Sequence, residues 1–196
     1  MVERHGPPSG EAREDAKPLK PTIGVKQAWV TAAMLVASVC LFVYIVMPSL
    51  PHENSPLVGA EAPDFALPVI HGGEPGNRIR LSELRGRVVV LDFWASWCLP
   101  CEQQARVLDQ LARRRSDGAL ILGVATGDPA DAATKHAQER GLSYPSVHDT
   151  HGDVALTYGA TDLPTLVVID QSGKVVAVRR GVVDASTIDE LISLAD

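Results

Sequence analysis

Cys98 and Cys101 stand with two residues between them in the stretch "LDFWASWCLPCEQQAR" (91–106), and the chain has only one further cysteine, Cys40. A CxxC of this kind serves as a metal clip, a haem tether, a structural staple or a redox switch. Structural zinc needs four Cys or His ligands, and no second pair accompanies this one. Haem attachment calls for a histidine directly after the second cysteine, where Glu102 stands. A bridge across two residues removes little chain entropy, so an inert staple is a poor use of the pair. A dithiol switch has a physical logic instead. A helix beginning at the motif favours a thiolate at Cys98, and Cys101, one turn on, can attack a mixed disulfide formed there. Pro100 suits a first helical turn, where its missing N–H costs no hydrogen bond. Asp92 adds a second candidate: a carboxylate inside the apolar run "VVVLDFWA" would be desolvated, its pKa raised, and able to exchange a proton with Cys101 near neutral pH. The competing reading for Asp92 is a strand-end carboxylate in solvent.

The elements that would hold these residues alternate strand and helix. "RVVVLDFWA" (87–95) and "ALILGVAT" (119–126) are near-continuous apolar runs of the kind that fill buried central strands. Between them Leu108, Leu111 and Ala112 give a helix one apolar face, and Arg113, Arg114 and Arg115 suit its carboxy-terminal dipole. "PADAATKHAQERG" predicts a second helix, with a proline at its start and Gly141 beyond its end. "TLVVID" and "KVVAVRR", joined by "QSG", predict a hairpin. "DASTIDELISLAD" predicts a final helix capped by Asp184 or Ser186 that buries Ile188, Leu191 and Ile192. Ahead of all these, "DFALPVI…RIRLSEL" predicts an extra amino-terminal hairpin. The sum is an α/β domain: a central mixed sheet flanked by helices.

The chain has 196 residues, 45% of them apolar, enough for one core of ordinary size. Its formal net charge is -6, and beyond residue 47 it carries 13 basic against 20 acidic residues, which argues against a nucleic-acid partner. Residues 28–47, "AWVTAAMLVASVCLFVYIVM", hold no charge, and twenty residues at about 1.5 Å each match a bilayer core of roughly 30 Å. Arg13, Lys17, Lys20 and Lys26 precede this run, whereas no Lys or Arg lies between Pro48 and Asn77, so the positive-inside rule places the amino terminus in the cytoplasm. The run is too long for a signal-peptide core and lacks a small-x-small site directly after Met47. The expected organisation is therefore a disordered cytoplasmic tail (1–27), a single transmembrane anchor (28–47), a proline-rich extended linker (48–62) and an extracytoplasmic domain (63–196).

"VVVLDFWASWCLPC", preceded by "APDFALP" and "LSELRGRVVVLDFW" and followed by "TDLPTLVVIDQSGKVV", resembles the TlpA/ResA family of membrane-anchored thioredoxin-like proteins over residues 57–195. The resemblance implies a thioredoxin fold and a protein disulfide reductase acting outside the cytoplasmic membrane. Its clients would be disulfide-bearing proteins, for example in cytochrome c maturation or copper-site assembly. Electrons would come from a membrane thiol transporter, and neither cofactor nor metal is called for. By the same resemblance Cys98 and Cys101 are the redox pair, Pro164 is a cis-proline facing it, and Trp97, Leu163 and Thr165 meet the client, with the Leu163 backbone turned to it as a short strand partner. Two positions depart from the family: Gln104 stands where many members have glutamate, and Arg106 where they have proline. The acid missing at Gln104 leaves Asp92 to take over proton transfer. A disulfide oxidant or isomerase, and a non-enzymatic module holding Cu(I) or an unfolded client, are the alternatives; no Pro-x-x-x-Thr-x-x-Cys pattern supports a peroxidase.

Overall fold

In a computed structural model of the chain, residues 24–46, 55–74, 76–114 and 119–196 are described. They fall into two units, Met1–Pro51 and His52–Asp196. The first contains helix α1 (Val25–Val46), whose side chains are described over 28–42. Among the described residues no helix is long and apolar enough to cross a membrane. The expected span of 28–47 reaches beyond them at its far end, and the expected tail lies almost wholly outside them.

The second unit is built on a seven-stranded sheet of order β2-β1-β5-β4-β3-β6-β7. Its strands are β1 (Ala66–His71), β2 (Arg78–Arg80), β3 (Val89–Trp94), β4 (Leu120–Thr126), β5 (Ser146–Asp149), β6 (Thr165–Ile169) and β7 (Val175–Arg180). Strands β3, β4 and β5 run parallel, and β6, β7, β1 and β2 add antiparallel on either side. All six residues of β3 are buried, as a strand with both faces covered must be. Alternation sends Val89, Leu91 and Phe93 to one face, into a core with Phe65, Leu122 and Tyr158. It sends Val90, Asp92 and Trp94 to the other, where Val90 packs with Leu108, Leu111 and Ile188.

Those partners come from the helices. α2 (Leu99–Arg114) buries Cys101, Gln104, Leu108 and Leu111, one stripe at spacings of three and four. α3 (Ala130–Arg140) stops at Gly141, which takes the left-handed conformation (φ 61°) that glycine adopts without steric cost. α5 (Ala185–Ala195) is capped by the Asp184 carboxylate, which accepts from the Thr187 amide at 3.0 Å, and buries Ile188, Leu191 and Ile192. Arg115 falls outside the described residues.

The amino-terminal hairpin is β1 and β2, with Leu67 opposite Ile79. The proline-rich linker ends sooner than expected. Residues 55–62 are docked on the domain: the Gly59 amide donates to the Val175 carbonyl, Ala62 to Gly173 and Val175 to Ala60, and Glu61 bridges Lys174. Residues 56–59 form turns, closed by the Val58 amide on the Ser55 carbonyl and the Ala60 amide on the Leu57 carbonyl, that bring the following backbone alongside the β6–β7 turn to pair with it. Two elements had no counterpart in the sequence reading, β5 and the short α4 (Asp153–Thr157).

Candidate active site

The redox pair lies where β3 hands over to α2. Cys98 directly precedes the first helical residue, Leu99, and Cys101 occupies the first turn, so the pair sits at a helix amino terminus as its spacing requires. The two sulfurs are joined in a disulfide, and the Cys101 amide donates to Cys98 Sγ at 3.3 Å. Both cysteines are nearly buried, while Trp97 and Leu99 on either side of Cys98 are 67% and 77% exposed. The loop is pinned from the end of β4. Asp128 accepts from the Ser96 amide at 2.6 Å and the Ser96 hydroxyl at 3.0 Å, and the Trp97 indole donates to the Gly127 carbonyl at 3.1 Å.

An open groove of about 700 Å³ runs past Cys98. Leu163 and Asp162 form one wall, ahead of a cis Leu163–Pro164 bond, and Leu156 of α4, 70% exposed, stands on the rim. Among the described residues no Lys, Arg or His lines this groove. Glu102, in the first turn of α2, is engaged by Arg140 of α3. The expected companions separate here: Leu163 reaches the groove, but Thr165 is fully buried and its hydroxyl donates to the Asp162 carbonyl at 2.5 Å. Its side chain shapes the cis-proline loop and does not present itself to a client, because it is the first residue of a central strand with both faces covered.

On β3, Asp92 is 1% exposed, which excludes the solvent-exposed reading. Burial pushes its carboxyl up to about 7, against a smaller lowering effect from the Tyr144 hydroxyl, which donates to Oδ2 at 3.3 Å. Among the described residues Oδ1 has no hydrogen-bond partner. Gln104 is wholly buried as well, and its Oε1 accepts from the Val183 amide at 2.7 Å. A neutral amide thus anchors the turn into α5. The sequence reading missed Tyr144, Leu156 and Asp128. Nothing near Tyr144 in "LSYPS" marks it, since only the folded sheet brings residue 144 to residue 92.

The sequence profile of the AhpC/TSA family matches residues 58–178. The chain is 37% identical to the thiol-disulfide oxidoreductase ResA of Geobacillus thermodenitrificans over 134 residues, which covers 68% of this chain and 75% of that protein. It is 30% identical to the thiol-disulfide oxidoreductase ResA of Bacillus subtilis over 171 residues, covering 86% and 93%. Among solved structures, a putative thiol:disulfide interchange protein DsbE from Chlorobium tepidum superposes with a TM-score of 0.62 at 32% identity, over 69% of this chain and 94% of that one. With a thioredoxin-like sheet, a joined CxxC at the mouth of a groove and these relatives over most of its length, the chain belongs to the AhpC/TSA family, as a ResA-like thiol-disulfide oxidoreductase whose redox pair is Cys98 and Cys101.

Proposed function

We propose that the protein is a reductant of client-protein disulfides on the outer side of the cytoplasmic membrane, held there by its amino-terminal helix. The observation that carries the direction of electron flow is the lining of the groove. Strong oxidants of this fold stabilise the reduced thiolate and reach about -120 mV. Here no cationic side chain among the described residues lines the groove, and Leu99 inside the motif has neither charge nor proton to give. With the helix amino terminus as the main influence on the Cys98 sulfur, this reading expects a couple in the reducing range, roughly -200 to -270 mV.

In this reading the client disulfide lies in the groove along Leu163, with Trp97 at its flank and Pro164 fixing the loop. The Cys98 thiolate attacks one client sulfur; the client S–S bond breaks, and its other sulfur leaves as a thiolate that takes a proton from water. Cys101 then gives its proton to the Asp92 carboxylate and attacks Cys98 Sγ. The Cys98–Cys101 bond forms, the bond to the client breaks, and the second client sulfur departs as a thiolate. The domain is left oxidised, as in the structure, until a membrane thiol transporter returns two electrons. Apocytochrome c cysteines and copper-site assembly proteins are clients of the right chemistry.

Cys98→Ser should abolish client reduction, and Cys101→Ser should accumulate a mixed disulfide on Cys98 that identifies the client. Equilibration with glutathione should give a potential within the range above. A value near -120 mV would move the protein to the oxidants, and full activity in both cysteine variants would end the redox reading.

A further inference from the structure

The proton acceptor assigned to Asp92 has two oxygens in different situations, and the difference comes from one side chain. Oδ2 is occupied by the Tyr144 hydroxyl, whereas Oδ1 is buried with no partner among the described residues. Tyr144 also lines a cavity of about 10 Å³ together with Trp94, Cys101, Ala105, His136 and Leu142, so the same residue abuts both the carboxyl and the neighbourhood of the resolving cysteine. The geometry points to Tyr144 as a positioning residue for thiol exchange: its hydroxyl occupies Asp92 Oδ2 and leaves Oδ1 as the oxygen that takes up the proton. This rests on Asp92 being the proton acceptor.

The hydroxyl has few competitors for that task. On the α2 side the groups around this region are Cys101, the neutral Gln104, and Asp109, which accepts from the Ser143 amide beside Tyr144 at 2.8 Å, with Arg106 and the Glu102–Arg140 ion pair further out beside His136. Arg113 bonds the Asp109 carboxylate and holds it below the usual range, so Asp109 stays ionised through neutral pH. On the α3 side stands His136, stacked on Trp94 with ring centroids 5.4 Å apart. The strand partners of Asp92 are Gly123 on β4 and Leu166 on β6, and neither titrates. α5 brings Ile188, Leu191, Ile192 and Ala195 to the core on this face, none of which titrates. Tyr144 is the one hydrogen-bond donor found on the Asp92 carboxyl among the described residues. Its own proton is secure, because burial and the Asp92 charge push the phenol well above its ordinary value. The hydroxyl therefore remains a donor at every pH where the enzyme works. It stabilises the carboxylate and sets its acidity, and without it the carboxyl would take up its proton at a higher pH.

The test uses the full chain in detergent, oxidised so that neither cysteine of the pair titrates, with 13C at the aspartate carboxyls. The resonance missing from Asp92→Asn identifies Asp92. In Tyr144→Phe, which keeps the ring and its packing, the midpoint of that resonance should rise by roughly half to one pH unit, the worth of one hydrogen bond. The pH midpoint of mixed-disulfide resolution by Cys101 should rise with it. A resonance midpoint unmoved within 0.2 unit, roughly the reproducibility of such a titration, or one that moves down, overturns the role of Tyr144. So does a uniform loss of rate with no shift of midpoint, which a merely structural tyrosine would give. If instead Asp92→Asn leaves the pH profile of resolution unchanged, the acceptor reading itself fails, a result distinct from the other two.

Discussion

A carboxyl shut away from water charges only reluctantly, and Asp92 has a measurable consequence for stability apart from any role in exchange. Unfolded, it ionises near the ordinary aspartate value of 3.8; folded, burial pushes it up to about 7. The folded state thus binds the extra proton between those limits. Its stabilisation relative to the charged form is complete below pH ~4 and is lost as the pH rises through the folded value, levelling off above it. A shift of this size is on the order of 4 kcal/mol. Wild-type protein should therefore lose stability to urea from pH 5 to pH 8, and Asp92→Asn should lose much less over the same interval and be the more stable of the two at pH 8. Parallel pH dependences in the two proteins would show that Asp92 is not the group responsible.

At the level of elements, the active-site face depends on a strand residue with no side chain. Gly123 lies between Asp92 on β3 and Ser146 on β5. A Cβ placed on it would meet the Ser146 hydroxyl inside contact distance and the Trp94 indole nitrogen at 2.9 Å. The empty position lets the Trp94 ring lie across β4 and stack on His136. Gly123→Ala should destabilise the domain by about 1–3 kcal/mol, the usual cost of overpacking. Ser146→Ala on top of it should recover part of the loss, because the two changes share one site and their effects do not add. Additive thermal denaturation results would refute this crowding. The same scale explains what pattern reading missed. β5 has only four residues, "SVHD", with no alternation to betray it. α4 is five residues held by Asp149, which accepts from the Ala155 amide at 2.9 Å and the Thr126 hydroxyl at 3.2 Å. Neither is long enough to show a period, yet together they carry Leu156 to the rim of the groove.

For the whole molecule the decisive question is which side of a membrane the redox unit occupies. The proposed anchor is residues 28–47, which are uncharged and have basic residues ahead of them; for such an anchor the positive-inside rule puts the carboxy-terminal unit outside. A reporter joined after α1 in place of that unit should be active only outside the cytoplasm. The full chain should sediment with membranes and resist extraction by salt or carbonate. Release by carbonate, or a cytoplasmic reporter signal, would refute the anchor. The unit from His52 onward has its own core and sheet, and within residues 55–62 the hydrogen bonds to the rest of the domain begin at Gly59.

The sequence by itself determined the long strands and helices, the Cys98–Cys101 pair and its place at a helix start. These rest on local rules: β3 and β4 are apolar runs, α2 has a helical stripe, Gly141 and Asp184 stop and start helices, and the CxxC carries its chemistry in its own spacing. The tertiary structure decided what depends on distance in space. It sealed Asp92 from solvent by laying α2 over β3, set the hydroxyl of Tyr144, 52 residues away, on its carboxyl, turned Thr165 inward, gave Gln104 to the Val183 amide, and drew residues 55–62 out of the linker onto the β6–β7 turn. A carboxylate's acidity and a groove's lining come from neighbours far along the chain, and no local pattern records which neighbours folding will bring.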